Sequence, residues 1–172
     1  PSAQDVVNQM TASDLTSIIR QLGEERQAKR IANTIVAHRK DAPFESTLQL
    51  ATCVEDAVGG RRGRNTHPAT LTFQAIRMFV NDELGELARG LAAAERLLRV
   101  GGRLVVVTFH SLEVRLVKQD MRARAGFTAG AARYMPEAAK GPEPSFELRQ
   151  RKALEPSDAE TSTNPRARSA RL

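Results

Sequence analysis

Apolar residues recur along the first half of the chain with a helical period. Leu15, Ile18, Ile19 and Leu22 stand at i, i+3, i+4 and i+7 behind Thr11-Ala12-Ser13-Asp14, which carries N-cap chemistry, and Gly23 supplies a stop. A second stripe, Ala28, Ile31, Ala32, Ile35 and Val36, predicts a helix that starts near Glu24 and Glu25, acids suited to the positive end of a helix. Arg26, Lys29, Arg30 and Arg39 fall off that stripe, and Asp41-Ala42-Pro43 breaks it. Ser46 and Gln49 can satisfy each other's orphan amides as a capping box, opening a third helix that would bury Leu50, Ala51, Val54 and Val58. His67-Pro68 opens a fourth, with Pro68 suited to its first turn and Phe73, Ile76 and Val80 on its apolar side. From about Asp82 a longer helix would bury Leu84, Leu87, Ala88, Leu91 and Leu98, until Gly101-Gly102 ends it.

The period then changes. Leu104-Val105-Val106-Val107-Thr108-Phe109 is a continuous apolar run between glycines and His110-Ser111, the pattern of a buried parallel strand. Helix, Gly-Gly, strand and a new helix make half of an α/β unit, and the strand's neighbours must come from elsewhere. The next helix runs from Ser111, its expected N-cap, to about Ala125. Val114, Val117 and Met121 form its apolar side and Arg115, Lys118 and Arg122 a basic stripe. Residues 126–144 read as a loop, 146–154 as an edge or outer strand and 156–163 as a polar loop. Asn164-Pro165-Arg166-Ala167-Arg168-Ser169 reads as a turn into a last strand.

Charge alters this picture. The 172 residues carry a formal charge of +6, which favours an anionic partner, nucleic acid first, although surface Lys and Arg can also serve solubility alone. Gly59-Gly60-Arg61-Arg62-Gly63-Arg64-Asn65-Thr66 is a cationic loop without an aromatic. It would add affinity for phosphates and no choice of sequence, unless it is only a solvated linker. The single cysteine, Cys53, excludes an internal disulfide and reads as a core residue, and no Cys/His cluster has zinc spacing. No apolar run approaches the ~20 residues of a membrane span. Pro1-Ser2-Ala3-Gln4 has no leader character, which predicts a cytoplasmic protein. Neither end reads as a natural terminus, and no internal repeat is visible.

Several segments together resemble one family, the bacterial 16S rRNA (cytosine-N4) methyltransferases. They are Gly23-Glu24-Glu25-Arg26 with Ala28-Lys29-Arg30-Ile31-Ala32; His67-Pro68-Ala69-Thr70 with Thr72-Phe73-Gln74-Ala75-Ile76-Arg77; and Asn81 with Glu83-Leu84. Gly101-Gly102-Arg103-Leu104 leads to Phe109-His110-Ser111-Leu112-Glu113 with Arg115, Val117 and Lys118. Lys152-Ala153, Pro156-Ser157 and Asn164-Pro165-Arg166-Ala167-Arg168-Ser169 complete the order. The resemblance implies an α/β fold: the C-terminal part of a class I, Rossmann-like methyltransferase sheet with an all-helical insertion. Residues 1–85 would be the inserted substrate-recognition domain and 86–172 the C-terminal part of the methyltransferase domain, with the donor-binding half absent from the chain. The Val105 strand would be the sheet's fifth, delivering His110 and Ser111 to the mouth of the active site.

The implied reaction moves a methyl group from S-adenosylmethionine to N4 of a cytidine in the decoding region of 16S ribosomal RNA, with no metal. The small subunit or its RNA would be the partner, no membrane is involved, and oligomerisation is left open. His110 and Ser111 would be catalytic; Glu113, Arg115, Asn164, Arg166, Arg168 and Ser169 would bind substrate. The donor-binding motifs are not found, since Gly101-Gly102 precedes a strand and does not follow one. Each residue also has a plainer reading. His110 can tie the strand end to a loop, Ser111 can only cap, Glu113 can complement the helix dipole, and Arg166 and Arg168 can sit in a solvated turn. A non-catalytic basic helical module that binds ribosomal RNA is the alternative function. The chain departs from the family at Val114, Asp120 and Leu71, where the family carries an acid, an apolar residue and a base. An acid at 114 would complete a capping box with Ser111, so Val114 forgoes roughly 0.5–1 kcal/mol.

Overall fold

Ser2 begins the first helix, α1 (Ala3–Gln9), through a capping box with Asp5: each side chain answers the other residue's amide. A computed structural model describes residues 1–61, 63, 66–127, 143–150 and 152–172. They form two compact units, Pro1–Glu83 and Leu84–Leu172. In the first, α1 is followed by α2 (Ala12–Gly23), α3 (Ala28–Asp41), α4 (Thr47–Val58) and α5 (Thr70–Val80). α2 packs on α3 and α5, α3 on α4, and α1 on α3 and α5. Leu15 and Ile19 of α2, Ile31 and Ile35 of α3 and Val54 of α4 are fully buried in one aliphatic core. Each such side chain contributes about 1.5–3 kcal/mol by leaving water.

Polar groups fasten the ends of these helices. Thr11 caps α2, and Ser46 with Gln49 forms the expected capping box on α4. Arg39 reaches from α3 to donate to the Val7 and Met10 carbonyls at 2.7 and 2.5 Å, serving acceptors that the end of α1 leaves open. The Asn8 amide exchanges two hydrogen bonds with the backbone of buried Phe44, at 2.9 and 2.8 Å, and His38 stacks on the Phe44 ring. α3 starts later than its acids suggest. Buried Glu25 lies upstream and accepts from the Gln27 amide at 2.8 Å, while Glu24 takes the left-handed turn, φ 51°, that closes α2.

α2 does end at Gly23, as expected, but the left-handed turn that closes it falls on Glu24, and Gly23 itself is buried. A Cβ on it would meet the Leu71 carbonyl oxygen at 2.6 Å and the Ala75 Cβ at 3.2 Å, so its missing side chain sets how closely α2 approaches α5.

The second unit holds α6 (Glu83–Leu97, its first residue belonging to the first unit), α7 (Ser111–Arg124), α8 (Asp158–Thr163) and a 3-10 turn, Pro165–Ser169. Of the residues expected to bury along α6, Leu91 is buried, whereas Leu84, Leu87 and Leu98 are half-buried and Ala88 is exposed. Residues 156–163 contain α8, capped by Ser157, where a loop was expected.

The α/β, Rossmann-like class is corrected here. Among the described residues there is no strand and no sheet, and the fold is all-helical. The apolar run 104–109 has no regular structure except at Thr108, which forms an isolated antiparallel bridge with Arg171. Val105, Val107 and Phe109, expected to be interior, are 67%, 54% and 56% exposed. A strand is defined by partners in register, and β-branched composition cannot supply them. The edge strand expected over 146–154 is likewise not formed by its described residues; Leu154 exchanges bonds with Leu172, and the Phe146 amide donates to the Arg124 carbonyl. Arg62, Arg64 and Asn65 of the cationic loop, residues 128–142 of the later loop and Arg151 lie outside the described residues.

Gly23→Ala should destabilise the chain by roughly 1–3 kcal/mol through overpacking against the Leu71 carbonyl. Gly90→Ala, on exposed helix α6 with nothing within 4 Å of the added carbon, should stabilise it by about 0.5–1 kcal/mol. Chemical denaturation of both variants checks the opposite signs; a destabilised Gly90→Ala or a neutral Gly23→Ala would refute the packing account.

Candidate functional site

Thr108 is buried and doubly tied to Arg171: each amide donates to the other's carbonyl at 2.8 Å, and Thr108 Oγ1 adds a 3.1 Å bond to the Arg171 carbonyl. Leu172 turns the other way and exchanges bonds of 2.8 and 3.1 Å with Leu154. Arg171–Leu172 is thus held between two segments, and Arg171 Nε also pairs with Glu155 at 3.2 Å. The Thr108–Arg171 pair is antiparallel. The chain leaving Thr108 for His110 and the chain arriving at Arg171 from Ser169 therefore emerge at the same end of it. Both groups of candidate residues, 110–115 and 164–169, belong to that end.

His110 is the N-cap of α7, a role expected of Ser111. Its Nδ1 accepts from the Glu113 amide at 3.3 Å. An accepting Nδ1 carries no proton, so the ring proton sits on Nε2. Glu113 is the third residue of the helix and returns the favour one position early: its Oε2 accepts from the Phe109 amide at 2.8 Å. Side chains and amides thus answer each other in a displaced capping box. With His110 as cap, Val114 stands beyond the position where an acid would complete the box, and the stability loss expected from it does not arise.

The geometry leaves one polar atom unanswered. His110 Nε2 lies 3.2 Å from Glu113 Oε1, but the N–H does not point along that line, so the pair has ion-pair proximity without a hydrogen bond. Among the described residues only this atom and Thr72 Oγ1 are buried side-chain polar atoms without a hydrogen bond. Buried donors are nearly always satisfied. A buried N–H beside a misaligned carboxylate is therefore a donor and an acceptor held ready side by side.

Ser111 is the first residue of α7 and is exposed, as are Arg115 and, one turn on, Lys118. Asn164 sets its own turn: Oδ1 accepts from the Arg166 amide at 3.2 Å, and Pro165 begins the 3-10 turn. Ala167 is buried, which turns Arg166, Arg168 and Ser169 outward. Neither Arg166 nor Arg168 has a hydrogen-bonding or ionic partner for its guanidinium among the described residues. The far end of α7 is fastened by a group that sequence reasoning missed. Arg124 pairs with Asp120 at 2.7 and 3.1 Å and with Glu95, which Ser145 also contacts. The i, i+4 spacing of Asp120 and Arg124 was the available signal.

Among the described residues no group of three or more His, Cys, Asp or Glu could hold a metal ion, and no helix is long and apolar enough to cross a membrane. Cys53 is buried in the helical core, and that burial raises its thiol pKa. The residues around His110 do not fit S-adenosylmethionine. The α7 N-terminus that could take a carboxylate is closed by the imidazole and faced by the Glu113 carboxylate, which repels another anion.

The chain is 64% identical to ribosomal RNA small subunit methyltransferase H of Hyphomonas neptunium over 172 residues, which is all of this chain and 50% of that protein. It is 54% identical to the protein of that name from Caulobacter vibrioides, covering 55% of it. For the protein of Roseobacter denitrificans the identity is 51% and the share 52%. The chain spans about half the length of the curated relatives it matches. The MraW methylase family matches residues 1–172. With that match running over both helical units and the His110 turn, the chain belongs to the MraW methylase family.

Proposed function

We propose that the chain supplies the substrate-handling part of an enzyme that methylates N4 of a cytidine in the decoding region of 16S ribosomal RNA. Family membership and relatives named as ribosomal RNA small subunit methyltransferases support the reaction class. The observation that carries the finer reading is the His110 Nε2–H lying 3.2 Å from Glu113 Oε1 with neither satisfying the other. Cytosine presents on its pairing edge a ring nitrogen that accepts and, beside it, an amine that donates. Nε2 is closed to solvent in this structure, so a flipped base would have to displace its cover before taking the His110 donor on N3 and giving an N4 proton to the Glu113 carboxylate. That second bond raises electron density on N4, holds the amine for in-line attack and makes the Glu113 carboxylate the acceptor for the proton that N4 must lose on methylation. Glu113 can keep its Oε2 bond to the Phe109 amide while Oε1 turns to the base.

The other residues have graded roles. Ser111, exposed at the helix start, contacts the base or its ribose. Arg166, Arg168 and Arg115 take flanking phosphates, with Ser169 as a neutral donor. Asn164 acts through the turn it holds. Residues 1–85 recognise the RNA. S-adenosylmethionine supplies the methyl group and is held by residues this chain does not contribute.

The test replaces the matching half of the Hyphomonas neptunium relative with residues 1–172 and follows labelled methyl transfer to small subunits, with nucleosides identified by mass spectrometry. N4-methylcytidine is the expected product, and the 172 residues alone should be inactive. His110→Asn keeps an N-cap acceptor but loses the Nε2 donor. It should leave stability nearly unchanged and lower the rate roughly 100-fold. His110→Ala should in addition cost about 1 kcal/mol of stability. Methylation of another nucleoside, or full activity in His110→Asn, would sink the reading.

A further inference from the structure

Helix α3 buries Ile31 and Ile35 and turns its other side to solvent. Arg26, Lys29, Arg30, Asn33 and Thr34 line a shallow, open groove on that side, bounded only by α3 and the turn before it. Arg26, Lys29, Arg30 and Asn33 are exposed. No carboxylate borders the groove. The three cations have no side-chain partner among the described residues. Three other arginines of the same unit are engaged, Arg39 with the end of α1, Arg61 with Glu55 and Arg77 with Glu83, while Arg20 on α2 stands alone without like-charged neighbours on its own turn. Arg26 lies in the turn before α3 and Lys29 and Arg30 in its first turn, and all three line the same surface, so like charges gather there. Such gathering costs repulsion unless an anion neutralises it.

The groove's chemistry selects among anions. Its only apolar lining residue is Ala37, so an acidic peptide would find charge but no hydrophobic anchor. No aromatic residue is present to stack a base. Phosphodiesters need neither; they bind through cations and polar donors, here the Asn33 amide among the arginines. Thr34 is less available, since its hydroxyl donates to the Arg30 carbonyl at 3.0 Å.

We infer that the α3 groove is a second, sequence-blind seat for the ribose–phosphate backbone of single-stranded RNA, in a different unit from Arg166 and Arg168. The inference rests on the reading that the chain handles RNA. It adds a surface that holds the strand irrespective of sequence, so recognition of the target base and retention of the molecule are carried by separate residues.

Binding of a short labelled oligouridylate to the 172-residue chain, followed by anisotropy from roughly 50 to 200 mM salt, tests it. A triple variant, Arg26→Gln with Lys29→Gln and Arg30→Gln, should bind at least 10-fold more weakly at the low-salt end. Its log–log salt slope should be shallower by about 2, since each lost phosphate contact on a single strand removes about 0.7. Exchanging the three cations among Lys and Arg should keep the slope, and circular dichroism should show unchanged helix in every variant. Arg166→Gln with Arg168→Gln should lower the slope independently. If the unaltered chain does not bind oligouridylate, the RNA reading itself fails. If it binds and only the Arg166/Arg168 variant changes the slope, the α3 seat alone is overturned. Displacement by polyglutamate as effective as by unlabelled RNA would also overturn it, in favour of an acidic protein partner.

Discussion

Two backbone hydrogen bonds between Thr108 and Arg171, each 2.8 Å, hold together the parts of the second unit that matter for chemistry. The residues they join are 63 positions apart, and the 3.1 Å bond from Thr108 Oγ1 reinforces them. Without this link the start of α7 and the Asn164–Ser169 turn would be separate features on a long chain. With it, the donor and acceptor at 110 and 113 share an end with two unpaired arginines. Closing so long a loop costs chain entropy that grows only slowly with its length. A short, buried, three-bond clamp can offset that cost where a single exposed bond could not.

Most of the first unit was legible because its signals are local. α2, α3 and α4 bury the stripes their periodicity marks, and the Ser46–Gln49 capping box is where the residues suggest. α1 and α8, at 7 and 6 residues, are too short to show a period, but each announces itself by a cap, Ser2 with Asp5 and Ser157 with the Glu160 amide. Gly23 shows the limit of local reading. A glycine near a helix end suggests a stop, and α2 does end there, but its bare backbone also permits contact with Leu71, which no neighbouring residue in the sequence discloses.

The second unit was less legible for the same reason. Periodicity along α6 says which side is apolar, not whether anything covers it, and only Leu91 is buried. The run Leu104–Phe109 has the composition of an interior strand, yet pairing is a property of two segments, and among the described residues only Thr108 has a match. Reading β-branched residues as a sheet treats a preference as if it were a partner. The site residues themselves were legible as positions, because a histidine and a serine following an apolar run point to an exposed turn. Their bonding was not. Serine is the commoner cap, but His110 takes that place and Glu113 reaches back to Phe109.

A comparison within the chain shows why burial, more than residue type, singles out His110. His67 is built in nearly the same way: its Nδ1 accepts from the Ala69 amide at 3.1 Å, and its Nε2 lies 3.1 Å from Glu55 Oε2. Both rings therefore carry their proton on Nε2 beside a glutamate. The His67 side chain is 31% exposed, so water can complete its hydrogen bonding, and Arg61 also faces Glu55 at 3.5 Å. The His110 side chain is 13% exposed and its Nε2 is shut off from water. The same local pattern is thus a water-completed surface turn in one place and an unfinished pair in the other. Only the unfinished pair offers an incoming base a hydrogen-bonding advantage over solvent, because binding there satisfies groups that folding has left unsatisfied.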